Sequence, residues 1–104
     1  MDTSLDSEFV ARSEAIVTQF GFKDLKSFVK SQALLILMAK IEKFRTEIRQ
    51  FEMKHGTDFN SFQVRTQQVE NREDFEEEDD YLDWRFAEEA LKRLQKQSLE
   101  LENA

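Results

Sequence analysis

Between Gly21 and Gly56 the chain runs for 34 residues without a glycine, and the whole sequence of 104 residues contains no proline. These two glycines are the only ones present. Glycine and proline are the residues that most readily stop a helix, so their scarcity points to long, uninterrupted helices. It also excludes other classes. Two glycines cannot supply a phosphate-cradling loop or the turns of a many-stranded β fold. With no cysteine there is no disulfide scaffold, thiol chemistry or zinc–thiolate site. The lone His55 leaves few routes to nucleophilic catalysis or a histidine-rich metal site. Apolar residues do not alternate with period two, so no strand is predicted. An all-α fold, formed as a single helical domain over 1–104, is the expectation.

Four helices are predicted, over about 7–20, 24–55, 58–69 and 73–99. The first carries Phe9, Val10, Ile16, Val17 and Phe20 at spacings of three and four, with Ser7 as a candidate cap and Gly21 as its stop. Asp24 is the cap expected for the second. Leu34, Leu37, Ile41, Phe44, Ile48 and Phe51 form three successive a/d pairs of a heptad pattern, the signature of a coiled coil. Upstream, Leu25, Phe28, Val29, Leu35 and Ile36 spread apolar surface around the cylinder. A helix apolar on most sides has to be covered on most sides, and a chain this short lacks the material. The heptad positions are therefore the candidate oligomer interface of a homodimer that completes a helical hairpin or bundle. Gly56 ends this helix, and Thr57 or Asp58 can cap the third, whose apolar face is Phe59, Phe62 and Val69. In the last helix Tyr81, Trp84, Ala87, Leu91, Leu94 and Leu101 form one stripe, widened by Phe75, Leu82, Phe86 and Ala90. Its last residues, from Glu100, are expected to fray.

The net charge of −7 conceals an asymmetry. From Phe22 to His55 there are eight basic residues against four acidic ones; from Glu70 to Leu91 there are eleven acidic against two basic. The acidic run Glu73, Asp74, Glu76, Glu77, Glu78, Asp79, Asp80 and Asp83 admits three roles. It can be a solvated helix start favoured by the dipole, with Lys92, Arg93 and Lys96 placed late to match. It can steer and bind a basic partner. Glu76, Asp80 and Asp83, at i, i+4, i+7, could offer oxygens to calcium or magnesium, although the EF-hand loop and the Glu-x-x-His pair of di-iron bundles are both missing. Trp84 and Phe86 follow the run, as core residues or as interface anchors. His55 is placed to donate to the final carbonyls of its helix. Phe44, Phe51, Phe59 and Phe62 straddle Gly56 as the core of a helix–turn–helix corner. The basic middle forms no continuous stripe, so direct nucleic-acid binding is not expected.

The corner Phe51, Glu52, Lys54, His55, Gly56, Phe59, Phe62 and the block Glu73 to Asp80, Asp83, Trp84, Phe86, Ala87 together resemble a group of small prokaryotic all-helical antitoxin-like proteins. The resemblance spans roughly Leu34 to Leu94. It departs at His55, where a tyrosine is commoner, and at Tyr81–Leu82, where a leucine–methionine pair is commoner. The first 33 residues carry no ribbon–helix–helix signature. The resemblance implies a non-enzymatic antitoxin of a toxin–antitoxin system, neutralising a small basic toxin encoded nearby. The residues expected to bind it are Glu76, Glu77, Asp79, Asp80, Asp83, Trp84 and Phe86. The alternatives are a structural helical oligomer, in which the acids serve solubility, and a nucleic-acid-binding regulator. No cofactor, metal or catalytic residue is expected. The most apolar run, Ala33–Ala39, is far short of the ~20 residues a membrane span needs. The acidic first twenty residues do not resemble a secretory signal, so a cytoplasmic location is expected.

Overall fold

The computed structural model describes residues 6–68 and 75–104. Those residues form four helices and no strand: α1 (Ser7–Gln19), α2 (Leu25–His55), α3 (Phe59–Gln68) and α4 (Phe75–Glu102). The fold is all-α, with the long helix and the C-terminal helix as its two main members. The expected end of the third helix at 69 and start of the last at 73, with Val69, Glu73 and Asp74, lie outside the described residues.

Local chemistry sets the helix ends. The cap of α1 is Asp6, not Ser7: its carboxylate accepts from the N–H of Glu8 at 2.8 Å and of Phe9 at 3.3 Å. Ser7 is already helical, and a carboxylate also carries the charge that a helix start favours. The exit is a Schellman turn. Phe22 N–H donates to Val17 O at 3.0 Å and Gly21 N–H to Thr18 O at 3.2 Å, with Gly21 at φ 97°. Asp24 caps α2 by accepting from Ser27 N–H at 2.7 Å. That bond holds its carboxyl below the ordinary aspartate value. Gly56 closes α2 in the left-handed region, φ 67°, with its N–H on Glu52 O at 2.8 Å. Asp58, rather than Thr57, caps α3 through Ser61 N–H at 2.8 Å.

At 1.5 Å per residue, α2 is about 46 Å long and α4 about 42 Å. They lie antiparallel. Lys54 near the end of α2 meets Glu76 at the start of α4, and Lys30 near the start of α2 donates to Glu102 O at 2.8 Å and Ala104 O at 3.1 Å. The expected fraying from Glu100 is not seen, since α4 continues to Glu102. Asn103 N–H then donates to Leu99 O at 3.2 Å. The dipole match is also only half of the expected one. Glu76, Glu77 and Glu78 occupy the first turn of α4, but its last turn has no basic residue. Lys30 of α2 supplies that cation from outside.

The heptad seam of α2 closes on α4 of the same chain. Ile41 and Ile48 are buried, Phe44 meets the Phe86 ring edge-on at 5.9 Å, and Phe51 stacks on Trp84 at 5.6 Å. A seam spaced to receive a second helix has received α4. The core sits at the Gly56 end, where Ile48, Phe62, Trp84 and Ala87 pack with Phe44, Phe51, Phe59, Tyr81 and Leu91. α3 folds over this end and seals Trp84 with Phe62. α1 packs at the opposite end through Val17, and Phe22 meets Phe28 edge-on at 5.2 Å. The molecule measures 64 × 33 × 22 Å, with a radius of gyration of 21.0 Å, where a compact chain of this length has about 13 Å.

Candidate functional site

The Gly56 turn brings Lys54 and His55 opposite the first turns of α4, and Asp80 lies between them. His55 Nε2 donates to Asp80 Oδ2 at 2.8 Å, Lys54 Nζ reaches the same oxygen at 2.7 Å, and Lys54 also pairs with Glu76 at 2.9 Å. Asp80 and His55 are mostly buried, whereas Glu76 is exposed. Burial pushes the Asp80 carboxyl up, but the hydrogen bonds from Lys54 and His55 outweigh it, so the group sits below the ordinary aspartate value. The bonds from Lys54 to Asp80 and then Glu76 raise the lysine above its usual range. The imidazole lies on the aromatic core, 4.4 Å from the Phe62 ring and stacked at 5.8 Å on Trp84. The expected donation from His55 to its own helix carbonyls is replaced by this bond. Gly56 terminates the helix, which leaves the ring free to turn toward Asp80.

Trp84 is the centre of the packing. It is wholly buried beneath Phe51, Phe59 and Phe62, whose rings lie 5.1–5.6 Å away. Its indole N–H has no hydrogen-bond partner among the described residues, so the site holds the ring for its area alone. Gln63 of α3 donates to Tyr81 Oη at 3.1 Å beside it, and the Phe59 and Tyr81 rings stack.

Trp84 fixes the rotation of α4, and that rotation sorts the acidic run. Leu82 and Phe86, two residues on either side, are each turned by about 200° from it. They are 47% and 59% exposed. On the same outward face are Glu78, Asp79 and Asp83, all exposed and without an ion-pair partner among the described residues. An open groove of about 430 Å³ runs beside this face, with Phe51, Lys54, Asp83 and Phe86 among its lining.

The seven expected binding residues thus divide. Asp79 and Asp83 face outward, and the mostly exposed Phe86 joins them while one edge of its ring rests on Phe44. Glu76 is exposed but engaged by Lys54, and Glu77 is half-buried. Asp80 and Trp84 face inward and hold the hairpin. Two outward residues were not among the seven, Glu78 and Leu82; the 200° offset of Leu82 from Trp84 was a readable signal for the second. Among the described residues no three histidine, aspartate or glutamate side chains converge as ligands for a metal ion. The i, i+4, i+7 set loses Asp80 to Lys54 and His55. No described helix is long and apolar enough to cross a membrane. Compared with known protein families, curated proteins and solved structures, the chain has no match.

Proposed function

We propose that this chain is a non-enzymatic protein-binding module that engages a basic protein partner through the outward face of α4. The observation that carries the proposal is the pairing of exposed Leu82 and Phe86 with three exposed carboxylates, Glu78, Asp79 and Asp83, that have no ion-pair partner among the described residues. An apolar pair at i, i+4 gives a helix-in-groove contact its anchors. Unneutralised charge around it steers association and selects a partner of opposite sign. The inward network of Asp80, Lys54 and His55 fixes the rotation of α4, so the face is presented preformed. This support is independent of the antitoxin resemblance. Together they favour a small basic toxin as the partner, its active surface masked by α4.

The test is co-expression with the product of the adjacent gene. That product is expected to co-purify with the chain, and to arrest growth when expressed without it. Glu78→Lys, Asp79→Lys and Asp83→Lys together, or Leu82→Ala with Phe86→Ala, are expected to abolish both binding and protection while leaving the helical signal unchanged. A neighbour that neither binds nor harms cells removes the toxin assignment. Retention of binding by both variants removes the α4 face.

A further inference from the structure

The α1 end of the molecule carries a second apolar face, which the described residues cover only in part: Phe22 meets Phe28 at one edge, and the rest is open. The longest apolar run, Ala33–Ala39, contains no buried residue, and neither does the rest of α2 from Leu25 to Lys40. Val29, Leu35 and Ile36 are 57%, 61% and 64% exposed. They point away from the Ile41–Ile48 seam: at 100° per residue, Val29, Leu35 and Ile36 lie about 120–140° from Ile41. Phe9, Ile16 and Phe20 of α1 add further exposed apolar surface at the same end.

We infer that this face is the self-association surface of the protein, and that its occupant is a second copy of the chain. Two observations favour a copy. The first is area. The chain exposes 8142 Å², whereas a compact monomer of its 12.4 kDa exposes about 6100 Å². The surplus of about 2000 Å², spread over the whole elongated chain, leaves room for the ~800 Å² per partner of a standard interface. The second is the pattern of the face. Leu25, Phe28, Gln32, Leu35 and Ala39 repeat at heptad spacing, with exposed Gln32 midway between Leu25 and Ala39. A single amide in an apolar seam is costly against a hydrocarbon partner. Across a two-fold axis it meets its own copy, and the two amides donate and accept reciprocally, which also fixes register. The seam expected from the first heptad series is occupied by α4, so association moves to the opposite side of α2. This surface is separate from the acidic face of α4 and does not depend on what binds there.

Sedimentation of the full chain tests the inference. The expected species has twice the 12.4 kDa chain mass. Leu35→Lys with Ile36→Lys is expected to give a monomer with unchanged helical circular dichroism, because lysine is a good helix former at exposed positions. Since the chain has no cysteine, Gln32→Cys gives an independent readout that does not require a disruptive change: oxidation is expected to cross-link it to its own copy. Asp79→Lys with Asp83→Lys is expected to remain dimeric. A wild type that stays monomeric at millimolar concentration overturns the inference. So does a dimer that survives Leu35→Lys with Ile36→Lys, a Gln32→Cys chain that does not cross-link, or a dimer lost on charge reversal of Asp79 and Asp83.

Discussion

Helix α2 is one continuous rod with two unlike halves. Around its C-terminal half the chain closes on itself: α4 covers one side, α3 caps the end, and the rings of Phe51, His55, Phe59 and Phe62 pack on a buried tryptophan. Its N-terminal half is more aliphatic, yet no side chain between Leu25 and Lys40 is buried. Apolar content therefore does not decide where the core forms. What differs is connectivity. The Gly56 turn places α2, α3 and α4 within reach of one another, so aromatic residues from three elements converge. At the other end the described residues offer only α1 and the tail of α4, and these leave part of a face uncovered.

The largest expected effect lies at the closed end. Trp84→Ala removes the ring on which Phe51, Phe59, Phe62 and His55 pack, and is expected to cost about 3–5 kcal/mol in urea unfolding. Trp84→Phe is expected to cost distinctly less, because it keeps much of the ring volume and removes the unpaired indole N–H, whose burial costs about 1–3 kcal/mol. Equal losses from the two variants would show that the pocket needs the indole itself.

The next effect separates polar from apolar support at that end. Asp80→Asn removes the charge that Lys54 and His55 share, with an expected loss of about 1.5–3 kcal/mol near neutral pH. The sign of the pH dependence follows from the lowered Asp80 carboxyl. Its contribution is complete above the ordinary aspartate value of about 3.9 and is lost as pH falls through the lower folded value. Wild type is therefore expected to lose this stability only in acid, and Asp80→Asn to show a shallower acid limb in chemical unfolding followed against pH. A smaller contribution comes from the backbone. Gly56→Ala meets no atom within 4 Å, but it forces an L residue to φ 67°, at an expected cost of about 1–2 kcal/mol.

These residues differ in how readily sequence alone revealed them. Asp24 and Gly56 were legible because a cap and a left-handed stop are local chemistry, settled within four residues. The seam from Leu34 to Phe51 was legible as a seam, but heptad spacing is the same whether the facing helix belongs to the same chain or to another. The acidic run was legible as a charge block, whereas its division into inward Asp80 and outward Asp79 was not. That division depends on Lys54 and His55 approaching from across the turn and on the pocket that fixes Trp84. Leu82 stood in the sequence as part of an apolar stripe. Its outward position follows once Trp84 is known to point inward.

The smallest expected effect lies at the open end, and its dependence on concentration makes it informative. In dilute protein Leu35→Ala removes atoms that already face water, so chemical stability is expected to change by less than about 0.5 kcal/mol. A face that binds only a second copy contributes by mass action, and its stabilisation grows with protein concentration. The thermal midpoint of wild type is therefore expected to rise as the protein is concentrated, while that of Leu35→Ala rises less. A core variant such as Ile48→Ala is expected to lower the midpoint at every concentration without removing the slope. If both variants shift the midpoint by the same amount at all concentrations, the two halves of α2 are stabilised in the same way, and the contrast between a self-contained end and a shared end does not hold.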